Sequence, residues 1–175
     1  MAFACLLKSS LRIISDYSAG LADQIPVLSA FTVDESTLPA QQDAAIGMFD
    51  GADWAPDLNN PQSKKFVAGY EAAYNSVPGT YAMQGYDAAL LIDSAVKGVK
   101  GDLANKDAVA AALKKADFTS LRGNFKFNVN GYPIQDFYLT KVAKRADGKF
   151  ETEIVQKVFE NYGDRYAKEC VSGAN

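Results

Sequence analysis

Residues 80–98 read "TYAMQGYDAALLIDSAVKG", and this stretch decides the structure of the second half of the chain. Pro78 and Gly79 break the chain just before it, and Thr80 has a hydroxyl suited to cap free backbone N–H groups. The sequence therefore predicts a helix that begins at Thr80. Apolar residues recur at three- and four-residue spacing and fill most remaining positions, which predicts a helix buried on more than one side.

The first turns of this predicted helix are less apolar than the rest, because they carry Tyr81, Gln84, Tyr86 and Asp87. Large aromatic residues are usually core residues whose hydroxyl reaches water, and the spacing of Tyr86 with Leu90 favours that interpretation. The first turn of a capped helix is also where side chains can leave the core. Tyr81 therefore has two open interpretations, as a core residue or as part of a binding surface.

Composition excludes several classes of function. The chain has 175 residues, 48% of them hydrophobic and 22% charged, which is typical of one globular domain with a substantial core. Its net charge of −3 and scattered basic residues argue against binding to nucleic acid. The sequence contains no histidine, which excludes Ser-His-Asp and Cys-His catalysis and any imidazole metal site.

Motifs for cofactors and membrane targeting are also missing from the sequence. No Gly-rich phosphate-binding loop occurs, so we expect no nucleotide cofactor. Cys5 and Cys170 lack C-x-x-C spacing, and whether they pair with each other stays open. Lys8 and Arg12 interrupt a short apolar run near the N-terminus, so we expect neither signal peptide nor anchor there. No apolar segment approaches the length of a membrane span.

The pattern along the chain predicts an α/β fold. Buried strands are expected in "QIPVLSAF" (24–31) and "AIGMFDGADW" (45–54), and helices at 61–75, 80–98 and 105–116, with Asn60 and Asn105 as caps. Beyond residue 117 the hydrophobic period becomes two, with turns at 130–131 and 146–148. This order predicts parallel strands early in the chain and antiparallel hairpins late.

Four motifs in this order resemble one known family: "IPVLSAFTVDESTL", "DWAPDLNNPQSKKFVAGYEAAY", "YAMQGYDAALLIDSA" and "LRGNFKFNVNGYPIQDFYL". They are similar to the C-terminal half of ABC-transporter substrate-binding proteins of the type I periplasmic family, which includes the Leu/Ile/Val-binding proteins. The resemblance covers roughly residues 19–170. It implies a partial type I periplasmic-binding-protein fold. By the family pattern, 1–18 is irregular, 19–54 belongs to the second lobe, 55–137 to the first lobe, and 138–175 to the second lobe and tail.

The resemblance also implies a function. Members of the family clamp a small solute between two α/β lobes and deliver it to a membrane permease. We therefore expect a periplasmic, non-enzymatic binding protein without a cofactor, for small organic solutes such as aromatic carboxylates or branched-chain amino acids. The family segment whose Ser and Thr residues grip the ligand carboxylate has no counterpart in this chain.

Candidate ligand contacts follow from the family pattern. A large aromatic residue at the start of the helix contacts the ligand, and Tyr81 occupies that place. Phe31 stands where amino-acid binders have an acidic residue that neutralises the ligand ammonium, so an aromatic or aliphatic ligand body is expected there. Asp34 and Glu35 are near enough to replace that acid, although capping the next helix is the simpler role. The full predicted set is Phe31, Thr32, Asp34, Trp54 (at a crossover between lobes), Tyr81 and Gln84.

Two other classes of function stay open. Asp50, Asp53, Asp57 and Asp87 contain the carboxylates that acid–base catalysis or a Mg²⁺ site would need. Aspartates are common in loops and at helix starts, however, and nothing in the sequence places two of them together. The third class is an assembly module, because an incomplete α/β fold exposes sheet edges or cleft surface through which copies of the chain would form a homo-oligomer.

Overall fold

The computed structural model describes residues 19–20, 24–25, 28–30 and 32–169. Phe31, Cys5 and Cys170 lie outside the described residues, so the predictions that concern them are not addressed by the structure. The elements in chain order are β1 (Leu28–Ala30), α1 (Leu38–Gln41), a 3₁₀ turn (Gln42–Ala45), β2 (Phe49–Ala52), α2 (Pro61–Tyr74), α3 (Thr80–Gly98), α4 (Lys106–Lys115), β3 (Lys126–Phe127), β4 (Pro133–Lys144) and β5 (Phe150–Tyr162).

The chain forms two compact units. The first contains Met1–Thr80 and Phe137–Val158, and the second contains Tyr81–Asp136 and Phe159–Asn175. The assignment of segments to family lobes stays a prediction.

The sheet of the first unit combines both strand directions. Strand β1 is parallel to β2, with Leu28 opposite Phe49, and β2 is antiparallel to β4, with Phe49 opposite Lys141. β5 pairs with β4. The predicted order of parallel strands followed by antiparallel ones is therefore confirmed. Its core contains Val33, Leu38, Ala45, Met48 and Val142, with Phe150 packed against it.

Strand β1 is not buried as the sequence predicted. Leu28 is 68% exposed and Ala30 is also exposed. Strand β1 lies at one end of the strand order β1-β2-β4-β3 and, among the described residues, pairs with β2 alone. It is therefore covered by a neighbouring strand on one side only. Strand β2 does match its prediction, since Asp50 and Ala52 are buried and Met48 just before it is fully buried.

Helix α2 has the predicted cap. The Asn60 side chain accepts a hydrogen bond from the backbone N–H of Ser63 at 2.7 Å, and Pro61 takes the first helical position, where a missing N–H costs nothing. Near its C-terminal end, Glu71 pairs with Arg145 of the β4–β5 connection. Arg145 also contacts Glu151 at 3.3 Å. This ion-pair cluster joins the hairpin to α2.

The second unit contains α3 from Tyr81 onward, α4, β3, the first residues of β4 and the end of β5. Asn105 caps α4 by accepting from the N–H of Ala108 at 3.1 Å, as predicted. Strand β3 is antiparallel to β4, with Lys126 opposite Ile134. The turn between them contains Gly131 at φ 78°, a left-handed conformation that favours glycine and supports the predicted Asn-Gly turn.

Helix α3 begins at Thr80 as predicted, but Thr80 is its first helical residue and not the residue before it. Its buried face contains Met83, Asp87 and Ala95. The prediction that Tyr86 is a core residue is wrong, because Tyr86 is 45% exposed. Asp87 occupies the inward position instead, which turns Tyr86 outward. Among the described residues, no helix combines the length and hydropathy needed to cross a bilayer.

Candidate functional site

Two separate segments hold the candidate ligand contacts that the structure describes. The first is the turn after β1, with Thr32 and Asp34, and the second is the start of α3, with Tyr81 and Gln84. Each segment lies in a different compact unit. Phe31 lies outside the described residues, so its predicted role stays a prediction.

The turn at 32–37 is held together by its own hydrogen bonds. The backbone carbonyl of Thr32 accepts from the Thr37 hydroxyl at 3.1 Å, and the N–H of Asp34 donates to the same hydroxyl oxygen at 3.2 Å. Thr32 itself is half-buried, and its hydroxyl donates to the carbonyl of Ala30 at 3.3 Å. The hydroxyl and backbone of Thr32 therefore lie at the C-terminal end of β1.

Asp34 is buried, and its side chain stabilises this turn. Oδ1 accepts from the N–H of Ser36 at 3.1 Å and from the Ser36 hydroxyl at 2.5 Å, while the backbone carbonyl of Asp34 accepts from Leu38, the first residue of α1. The other carboxylate oxygen, Oδ2, is buried without a hydrogen-bond partner in the structure. The local hydrogen bonds support the turn-forming role of Asp34, and nothing exposes it for contact with a ligand.

Glu35 reaches the last hairpin, a contact that sequence reasoning missed. Its Oε1 accepts from both the N–H and the hydroxyl of Thr152 on β5, at 2.7 and 2.8 Å. Burial raises the pKa of Glu35 from 4.5 to about 8, while the Thr152 hydrogen bonds oppose that shift. The residues are 117 positions apart, and no spacing pattern signals such a pair.

Trp54 is a packing residue in the first unit. Its indole N–H donates to the Ser63 hydroxyl at 2.8 Å, and its ring packs edge-on against Phe66 with centroids 6.1 Å apart. The side chain has no exposed surface. We therefore leave Trp54 out of the proposed ligand contacts. Residues 53–60 form no continuous helix, and the crossover between lobes at this place stays a prediction.

At the start of α3, Tyr81 is presented outward. It is 51% exposed, while Gln84 one turn later is half-buried. Tyr81 therefore has free ring surface for stacking on a small molecule, which an aromatic core residue would lack. The residue between them, Met83, is fully buried and fixes which side of the helix packs inward.

Asp87 forms the most extensive buried polar contact of the second unit. Its carboxylate accepts from the Ser120 hydroxyl at 2.5 Å, the Leu121 N–H at 2.8 Å and the Arg122 Nε at 3.1 Å. Arg122 also donates to Gln135 Oε1 on β4 at 2.7 Å. A lone carboxylate within the apolar run "YDAALLI" is unusual, but the run does not indicate the partners that a buried acid needs.

Three of the candidate aspartates have separate hydrogen-bond donors in the structure. Asp50 accepts from the Ser29 hydroxyl at 2.5 Å, Asp57 accepts from the N–H of Ile154 at 3.0 Å, and Asp87 lies in the other unit. Burial raises the pKa of Asp57. Across 32–169 and the shorter described stretches, no three acidic or cysteine side chains are grouped to hold a metal ion.

The second unit also contains an open, largely apolar groove of about 430 Å³. Its walls come from α3, α4 and the β3–β4 turn, and Lys114 stands at its rim. None of the predicted ligand contacts that the structure describes is among its lining residues. The apolar lining residues are Leu91, Leu113, Phe127 and Val129.

Comparison with known proteins shows which family this chain matches. The family described as "Periplasmic binding protein" matches residues 17–149. The curated "Leu/Ile/Val-binding protein homolog 6" of Brucella abortus (strain 2308) is 31% identical over 135 residues, which cover 74% of this chain and 34% of that protein. The chain therefore spans well under half the length of the curated relatives it matches.

Two solved structures are also similar. An ABC transporter substrate-binding protein from Sphaerobacter thermophilus is 30% identical with a TM-score of 0.81, over 90% of this chain and 43% of that one. A solute-binding protein of an ABC transporter from R. palustris, in complex with benzoate, is 32% identical with a TM-score of 0.80. The match covers 95% of this chain and 43% of that one. Because the family match covers more than half of its residues, this chain belongs to the periplasmic binding protein family.

Proposed function

We propose that this chain is the C-terminal part of a solute-binding component of an ABC importer, acting in the periplasm on small organic solutes. The single observation that carries the proposal is the exposed ring of Tyr81 on the first turn of α3, in a chain that belongs to the periplasmic binding protein family. A half-exposed tyrosine at a helix start offers a flat apolar surface with a polar tip, which suits an aromatic or branched aliphatic solute.

Aromatic carboxylates are the favoured solute class. One structural relative at 32% identity is a benzoate complex. Phe31 carries no charge, so it has no means of neutralising the ammonium of an amino acid, whereas it suits an uncharged ring. Branched-chain amino acids are the second class, suggested by the name of the curated relatives.

The proposed site needs residues that this chain does not contain. The chain spans 43% of the two similar solved structures. Helix α3 keeps apolar side chains in solvent, including Ile92 at 57% exposure, and the groove beside it is open. Exposed apolar surface of this kind is typical of a face that another segment covers. We propose that the remaining part of the family fold covers it and supplies the groups that bind the solute carboxylate.

A fusion protein tests this function. The part of the R. palustris relative that has no counterpart here would be joined to this chain, and benzoate binding would be measured by calorimetry. We expect Tyr81→Ala to weaken binding about two- to tenfold, since an aromatic stacking contact contributes about 0.5–1.5 kcal/mol. Tyr132→Ala, at another exposed tyrosine of the same unit, is the matched control and should change nothing. Equal effects of both substitutions would contradict the proposed contact.

An assembly module is the second candidate function. Strand β5 carries exposed apolar residues along its length, among them Val155 and Val158 in the first unit and Phe159 and Tyr162 in the second. An extended strand with such side chains is suited to pair with another chain. Gel filtration with light scattering distinguishes the candidates, because a concentration-dependent dimer would favour assembly and a monomer would favour the incomplete binding protein.

A further inference from the structure

The carboxylate of Asp87 is enclosed by donors from three consecutive residues. Ser120, Leu121 and Arg122 all donate to it, at 2.5, 2.8 and 3.1 Å, and Asp87 is almost completely buried. A carboxylate that accepts three hydrogen bonds from one turn has a single orientation that satisfies them all. The contact therefore fixes the direction in which this side of α3 points.

The turn that donates these bonds is itself anchored within the second unit. Ser120 and Gly123 form an antiparallel bridge that closes the turn. The Arg122 guanidinium donates to Gln135 on β4 at 2.7 Å and lies 4.4 Å from the centre of the Phe125 ring. A continuous series of charged and polar contacts thus runs from β4 through Arg122 to Asp87.

Helical geometry carries this constraint to the start of α3. Tyr81 precedes Asp87 by six residues, and at 100° per residue the two side chains lie about 120° apart around the helix axis. With Asp87 pointing inward, this separation turns Tyr81 away from the Asp87 side of the helix, which agrees with its 51% exposure. A rotation of the first turns of α3 would change the direction of the Tyr81 ring.

We propose that Asp87 is a positioning residue for solute binding, which acts through its contacts with Ser120, Leu121 and Arg122 to hold the Tyr81 ring toward the solute. The inference rests on the proposed function, because it assumes that Tyr81 contacts the solute. Asp87 itself does not touch the ligand. Its role is to keep the rotation of α3 constant.

The test is a double-mutant cycle on this chain, with benzoate as the probe. Binding is followed by NMR chemical shifts up to about 50 mM benzoate, a range that resolves millimolar dissociation constants. In the otherwise unchanged chain, we expect Asp87→Asn to raise the dissociation constant of benzoate about fivefold or more. In a chain that already carries Tyr81→Ala, the same substitution should raise it less than about twofold. Asp93→Asn, at an exposed aspartate of the same helix, is the matched control and should change neither value.

The outcomes separate the two proposals. If Asp87→Asn weakens binding equally with and without Tyr81→Ala, Asp87 does not act through Tyr81 and the inference is overturned. If Tyr81→Ala alone leaves the affinity unchanged, the proposed Tyr81 contact fails and the inference falls with it. An Asp87→Asn chain that folds and binds normally would also overturn the inference.

A second measurement needs no ligand. Amide hydrogen exchange at residues 84–88, whose N–H groups bond to the carbonyls of the first turn of α3, should accelerate about tenfold or more in Asp87→Asn and stay unchanged in Asp93→Asn, because only the first substitution releases the start of α3. If Asp87→Asn does not fold, Ser120→Ala removes one of the three donors and should give a smaller change in the same direction. Unchanged exchange in a folded Ser120→Ala chain, together with unchanged benzoate binding, would contradict the inference.

Discussion

Asp34 and Gly79 lie so close that a side chain at position 79 would press on the Asp34 carboxylate. A Cβ atom built on Gly79 would lie 3.1 Å from Asp34 Oδ2 and 3.4 Å from the backbone nitrogen of Ser36. The turn after β1 therefore packs directly against the residue that precedes α3. Asp34 has little freedom to move, because Ser36 holds its other oxygen with two hydrogen bonds.

The substitution Gly79→Ala should therefore destabilise the chain, by about 1–2 kcal/mol, since the added methyl overpacks a buried contact. Urea denaturation followed by the fluorescence of Trp54, the one tryptophan in the sequence, measures the change. Gly85→Ala in α3 is the control, for which we expect the free energy of unfolding to change in the opposite direction. No atom lies within 4 Å of its added Cβ, so helix propensity should stabilise the chain by about 0.5–1 kcal/mol. A stabilising Gly79→Ala would contradict the packing described.

Removal of the Ser63 hydroxyl should also destabilise the first unit. Ser63→Ala leaves the buried indole N–H of Trp54 without its acceptor, which costs about 1–3 kcal/mol in comparable buried sites. The free energy of unfolding from urea titrations measures the loss. Ser76→Ala, at an exposed serine, should change stability by less than about 0.5 kcal/mol. Equal stabilities of the two variants would show that the Trp54 hydrogen bond contributes little.

Stability should fall as pH rises, because of Glu35. Its pKa is raised from 4.5 to about 8 by burial in the folded chain, so the folded state binds a proton that the unfolded state releases. The contribution of Glu35 to the free energy of unfolding is complete below 4.5, the pKa of Glu35 in the unfolded chain. It is lost as pH rises through about 8, its pKa in the folded chain. We expect the free energy of unfolding to be lower at about pH 9 than at about pH 5.

The Glu35→Gln substitution should reduce this pH dependence. The amide keeps an acceptor for Thr152 without titrating. Part of the slope should stay, because burial also raises the pKa of Asp57 and Glu151. Glu153→Gln, at an exposed residue of β5, serves as the control and should leave the wild-type slope intact. An unchanged slope in Glu35→Gln would show that Glu35 does not control it.

Features that depend on neighbouring residues were predictable from the sequence. The caps at Asn60 and Asn105 and the turn at Gly131 act within a few residues, so their signals are local. The start of α3 at Thr80 was predictable for the same reason, since Pro78 and Gly79 break the chain.

Features that depend on distant partners were not predictable. The inward position on α3 went to Asp87, and not to Tyr86, because Arg122 and its neighbours satisfy the buried carboxylate. No periodicity encodes a partner 35 residues away. The exposure of Leu28 likewise depends on strand order, which hydrophobic pattern alone leaves undetermined. In the candidate site, resemblance to a family selected Tyr81, whereas residue spacing left two interpretations open.

The oligomeric state provides another prediction. If the chain is an incomplete binding protein, gel filtration with light scattering at micromolar concentration should give a monomer near 18.8 kDa. A stable dimer would favour the assembly function instead. In that case Val158→Lys on β5 should restore the monomer, because a charge on an exposed strand opposes pairing.

Calorimetric titration of benzoate and leucine into the chain alone and into the fusion tests the central claim most directly. Each missing charged hydrogen bond to the carboxylate removes about 1.5–3 kcal/mol of binding free energy, so the chain alone should show no binding tighter than about 1 mM. The fusion should bind benzoate at about micromolar affinity and more tightly than leucine, because in the proposed site the uncharged Phe31 stands where amino-acid binders have the partner of the ammonium. Micromolar binding by the chain alone, or a preference of the fusion for leucine, would contradict this account.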